Sequence, residues 1–243
     1  MPAEATFYTF PAVILVAAMA PALLAVMALT SARQVEASPA LMWWAAGLGM
    51  EALRLGALSL ASAFQPACFL AIHEGGQAII ALLLLGGTLR FLGQRAPPRA
   101  LQGAVAVIAA GTVSCLINPQ FPLPVLLALN AGAAGGVGVA GILFWRHYRR
   151  HHRSVSILCA GTLLIFSTYL LTHLLRHLFD PAMVSLDAAG DWRVILHTGL
   201  VLSCMICMIF GALNDAQDAR VRAEKDAEQQ ARLMNAIVEN IPV

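Results

Sequence analysis

Seven long apolar runs, spread over almost the whole chain, constrain this sequence more than any other feature. They are about Tyr8–Thr30, Leu41–Ala63, Cys68–Leu92, Gly103–Ile117, Leu123–Trp145, Val155–Phe179 and Trp192–Leu213. A helix needs roughly 20 apolar residues to cross about 30 Å of hydrocarbon, and each run reaches or approaches that length. The fourth is the shortest and draws on Ala100–Leu101. Pro97–Pro98, Asn118–Pro119 and Asp180–Pro181 punctuate the helix ends, as residues that cannot continue a helix should. The first run lacks a basic leader and an A-x-A site, so it reads as a retained span rather than a cleaved signal peptide. Of the 243 residues, 59% are hydrophobic and 12% are charged. Soluble domains carry about 25% charged residues. That balance excludes an ordinary water-soluble enzyme, and it excludes a disordered chain. A net charge of +2 gives no reason to expect a nucleic-acid partner. The expected fold is an all-α integral membrane protein, a seven-transmembrane helix bundle.

Arginine placement suggests an orientation. Arg33, then Arg90, Arg95 and Arg99, then Arg146, Arg149, Arg150 and Arg153 mark the odd loops, and Arg220, Arg222, Lys225 and Arg232 mark the tail. The even loops hold only Arg193, with Arg176 at a helix end. The positive-inside rule then places the N-terminus outside and the C-terminus in the cytoplasm. Trp43, Trp44, Trp145 and Trp192 fall near the expected interfaces, as in an aromatic belt. The run AGAAGGVGVAG at 131–141 suits close helix packing. Cys204 and Cys207 have CxxC spacing, but in mid-span they read as small packing residues. The loop RHYRRHHR suits anionic lipid.

Residues 1–213 form the membrane part. From 214 to 243 the composition turns charged and rich in Ala and Gln, and it stays free of Gly and Pro up to Glu239. Leu213, Ala216, Arg220, Ala223, Ala227, Ala231, Met234, Val238 and Ile241 follow helical spacing, a weak heptad-like seam. A helix leaving the membrane unbroken and pairing in a parallel homodimer is expected.

The final segment, ARLMNAIVENIPV, resembles the helical lead-in to a PAS domain in bacterial sensor histidine kinases and cyclic-di-GMP enzymes. That resemblance covers about a dozen residues. It implies the membrane-integral N-terminal input module of a larger signalling protein, set in the bacterial inner membrane. Its kinase, diguanylate cyclase or phosphodiesterase output would lie beyond Val243, so this chain itself is not expected to be an enzyme. The MHYT motif of a family of membrane copper sensors does not occur.

Ionisable residues inside spans are costly and mark candidate sites. At about 1.5 Å per residue, His73, His173, His177 and His197 fall in one outer-leaflet layer, although they come from three spans. His173 and His177 are at i and i+4, on one helix face. This pattern suggests a transition-metal site (copper or zinc) or a b-type haem, with a polar network or organic-ligand pocket as the alternative. Glu74 would be an oxygen ligand, and Arg176 and Arg193 would be partners for propionates. Glu51 and Arg54, at i and i+3 near mid-span, are expected to pair, with Gln77 and Asn130 as possible further members of a polar path.

The function expected is a signal-input domain. A ligand, metal or redox state would be sensed at the histidine layer and relayed by the last helix to a cytoplasmic output. Alternatives are a haem-containing membrane oxidoreductase and a small-solute transporter. The expected partners are membrane lipids, a second copy of the chain and the downstream domain.

Overall fold

A computed structural model describes residues 4–34, 39–59, 66–117, 123–151, 154–179 and 192–239. It is all-helical: α1 (Glu4–Gln34), α2 (Pro39–Ser59), α3 (Pro66–Phe91), α4 (Pro98–Ile117), α5 (Leu123–His151), α6 (Ser154–Phe179) and α7 (Trp192–Glu239). Proline opens α2, α3 and α4, where its missing N–H costs nothing and its fixed φ suits the first turn. Gly93 ends α3 with φ of 70°. There the Gln94 amide donates to Leu89 O at 2.7 Å and the Gly93 amide to Arg90 O at 3.1 Å, so the left-handed residue satisfies the last carbonyls.

Five of these helices, not seven, are long and apolar enough to cross a membrane among the described residues: Ile72–Phe91, Pro98–Ile117, Leu123–His151, Ser154–Leu175 and Ile195–Ile237. The seven-span expectation is corrected on this point. α1 supplies a shorter apolar stretch, Ala17–Ala32, and α2 carries Glu51 and Arg54 at its centre. With five qualifying helices, the loop-parity argument for an outside N-terminus lapses. The long, apolar, partly buried helices fit a multi-pass membrane protein.

α5 packs along α6, α2 along α1 and α3, and α7 against α6 and α2. Val137, Ala140 and Phe144 of α5, Leu163, Phe166 and Leu170 of α6, and Val201, Cys204, Met205 and Met208 of α7 fill the core. Their spacing of three and four residues puts each set on one helix face. The small residues of α5 serve the packing expected of them. Ser167 of α6 donates to Ala134 O of α5 at 2.9 Å, and a Cβ at Gly141 would meet Leu163 and Leu164. Cys204 is part of this core and forms no disulfide with Cys207. α4 is peripheral, with only Gly111 and Cys115 buried.

Trp44, one of the four tryptophans expected near an interface, is 0% exposed and belongs to the core, so its ring faces the bundle interior. Its ring packs against Phe91, with centroids 5.8 Å apart. The neighbouring glycines make the room: a Cβ at Gly87 would overlap the Trp44 indole, and one at Gly86 would meet Trp43. Gly87→Ala is therefore expected to destabilise the bundle by about 1–3 kcal/mol through overpacking, read as a lower melting midpoint in detergent. Gly49→Ala, whose Cβ would meet nothing within 4 Å, should leave the midpoint unchanged or slightly raised.

Candidate functional site

Glu51 and Arg54 are placed by helical geometry, since residues three apart share a face. That face of α2 points into the bundle, leaving Glu51 0% and Arg54 1% exposed. Arg54 donates through Nη2 to Glu51 Oε1 at 2.7 Å and through Nε to Glu51 Oε2 at 2.8 Å. This is the two-pronged fork that a guanidinium and a carboxylate form best. Its third nitrogen, Nη1, lies 3.0 Å from His73 Nδ1 on α3. Arginine has no acceptor, so His73 accepts there and carries its ring proton on Nε2. Thr198 of α7 donates through its hydroxyl to Glu51 Oε1 at 3.0 Å. One ion pair on α2 thus ties α3 and α7 together. Gly76 of α3 faces this pair: an added Cβ would be in ordinary contact with Arg54, at 3.6 Å, but would crowd Met50 Cε at 3.0 Å.

A second polar group lies alongside. Asn130 of α5 donates through Nδ2 to Glu74 Oε2 at 2.7 Å and to Leu126 O at 3.0 Å. Gln77 donates through Nε2 to Asn130 Oδ1 at 3.2 Å. Glu74, Gln77 and Asn130 are all buried. Each bond between these groups matters because an unpaired polar group in this setting costs its full desolvation penalty.

Among the described residues, the histidines do not form the expected ligand set. His197 is buried between Phe166, at 5.2 Å between centroids, and Tyr169, at 5.9 Å. His173 lies beside Tyr169 at 6.5 Å. His73, His173 and His197 are within electrostatic reach of one another, and His197 is also within reach of Arg54. Among the described residues, however, no group of three His, Cys, Asp or Glu could hold a metal ion. The expectations of a copper or zinc site, of b-type haem and of a metal-binding histidine cluster are corrected accordingly. The physical reason is Arg54: its guanidinium already occupies His73 Nδ1, and its fixed positive charge opposes a second cation beside it. The side chains of Arg176, His177 and Arg193 lie outside those described, so the roles expected of them are not placed.

The Glu51–Arg54 pair and the Gln77–Asn130 contact with Glu74 were within reach of sequence reasoning. Thr198 was not. Its only sequence signal is a hydroxyl inside an apolar run, and such residues usually bond their own helix, as Thr88 does to Leu84 O. The chain matches no family of known proteins, no curated protein and no solved structure.

Removing one partner of a buried ion pair leaves the other charge uncompensated, at a cost of about 3–5 kcal/mol. Glu51→Leu and Arg54→Leu should each lower the melting midpoint sharply. The double variant Glu51→Leu/Arg54→Leu should recover most of the loss, because no stranded charge remains. Thr198→Val, which deletes one hydrogen bond, should cost about 1 kcal/mol.

Proposed function

We propose that residues 1–213 form a signal-input domain of the bacterial inner membrane, and that residues 214–243 relay its state to a PAS-containing output. On this reading a small ligand acts at the polar node around Glu51 and Arg54, and the change is carried by α7. No catalytic role is assigned to the chain.

The observation behind this reading is the form of α7. It is one unbroken helix of 48 residues. Near its start it is bonded to the node through Thr198. From 217 to 237 every residue is exposed, a length of about 30 Å at 1.5 Å per residue. A rigid helix moves as one body, so a displacement at Thr198 reaches the far end.

Helices in proteins draw most of their stability from packing an apolar face, and from 217 to 237 this one packs against nothing among the described residues. This one also leaves Leu233, Met234 and Ile237 exposed at 66%, 62% and 58%. Pairing with a second copy along the Ala223, Ala227, Ala231 and Met234 seam would bury part of that surface. A seam of small residues packs weakly, and a weakly packed helix pair can shift register at low cost.

Disulfide trapping in membranes of the full chain, with the native cysteines replaced, tests both parts. Ala227→Cys should form crosslinked dimers several-fold more readily than Gln229→Cys, which lies on the opposite side of the helix. Adding Thr198→Val should change that ratio. Equal trapping at the two positions would remove the dimer, and a ratio unmoved by Thr198→Val would remove the relay.

A further inference from the structure

α4 meets α5 where Cys115 packs with Leu126 and where a Cβ at Gly111 would meet Leu129; beyond that contact a groove lies between the two helices and α3. It is a cavity of about 280 Å³ whose lining includes Leu82 and Leu85 of α3, Gly103 and Val107 of α4, and Leu129 and Gly132 of α5. No charged residue lines it. Gly103, Val107 and Gly132 are exposed, so the groove opens sideways on the surface that a bilayer would cover. Shape and apolarity alone would not say what fills it.

The charges at its end do. Between Glu74 and Asp180 the sequence contains no Asp or Glu. Arg99 is one helical turn before Gly103, on the same face of α4. Arg95 lies in the turn just before α4, and Arg90 ends α3 beyond Leu85. Arg146 and Arg150 repeat the face of Gly132 and Gly136 about four turns further along α5. All five arginines are exposed. The aromatic pair Trp145 and Tyr148, with centroids 5.9 Å apart, lies at the same height of α5 on its other side, as side chains at headgroup level do. Asp215 and Asp218 of α7 line a separate cleft with Phe91 of α3, Phe144 of α5 and Ser154 and Ser156 of α6, and neither lines the groove.

We propose that this groove is a binding site for an anionic phospholipid. One acyl chain lies between α3, α4 and α5, and the headgroup phosphate is held by Arg95 and Arg99 with Arg146 of the neighbouring helix. Guanidinium groups suit phosphate because their planar fork donates two parallel hydrogen bonds. A second copy of the chain is the poorer occupant, since it would bring the same arginines against these. The site is independent of the signalling reading and stands or falls without it.

The test uses the full chain in bilayer nanodiscs of phosphatidylcholine with equal phosphatidylglycerol, and native mass spectrometry of the lipid retained on release. Phosphatidylglycerol should be retained in clear preference to phosphatidylcholine. Arg95→Gln and Arg99→Gln should each reduce that preference about fivefold, the worth of one arginine near an anionic surface. Gly132→Leu and Gly103→Leu fill the groove, and an added Cβ at either glycine meets nothing within 4 Å. Both should lower retention of the lipid with an unchanged melting midpoint. Inorganic phosphate should not displace it, because the chain supplies part of the affinity. Equal retention of the two lipids, retention unchanged in both leucine variants, displacement by inorganic phosphate, or a dimer crosslinked through α4 would each overturn the proposal.

Discussion

A carboxylate and a guanidinium buried together in an apolar bundle set the terms for the helices around them. Glu51 and Arg54 are sealed from solvent, where a charge without partners costs several kcal/mol. Their own pairing is local to α2 and settles only part of that cost. Part of the remaining hydrogen-bonding capacity is met by His73 of α3 and Thr198 of α7. Those bonds have direction and a narrow range of length, whereas contacts among Leu, Ala and Val have neither. The pair therefore defines the rotation and height of α3 and α7 relative to α2. In lipid this matters more than in water, because helix association has no strong hydrophobic drive of its own.

The same interaction explains why imidazoles in neighbouring helices do not make a metal site. His73 is committed to Arg54, and His197 is edge-on to Phe166 and Tyr169. Similar depth in the bundle is not enough for coordination. The lone pairs must point to a common centre, and here a fixed cation stands beside the one ring whose orientation a hydrogen bond reveals. The node is a polar tie between helices, with a second tie through Glu74, Gln77 and Asn130 running across to α5.

Packing is uneven around this centre. α5 and α6 meet closely through small residues, and α2 seats Trp44 against Gly87. α4 buries two residues, and the outer part of α7 buries none from 217 to 237. Elements with few buried contacts are where proteins open or bind most easily. The two poorly covered surfaces differ in chemistry: one is an apolar groove with arginines at its end, and the other is a charged helix with a few stranded apolar side chains.

Much of the helical architecture was legible from the chain. The helix end read at Pro97–Pro98 is where α4 opens, because proline acts through its own backbone geometry; Asn118–Pro119 and Asp180–Pro181 lie outside the described residues. The Glu51–Arg54 pairing was equally accessible, being three residues apart on one helix, as was the close approach permitted by the small residues of α5. Among the described residues, five helices rather than seven are apolar enough to span; α2 falls short because its charged pair offsets its leucines, and the described apolar stretch of α1 is shorter. What only the tertiary structure decided was the rotation of each helix about its axis. That rotation turned Trp44 inward, joined Thr198 to Glu51 across 147 positions, gave His73 to Arg54 and, among the described residues, brought no three metal ligands together. Local sequence sets which residues share a helix face, but which face meets which neighbour depends on contacts between segments far apart in the chain.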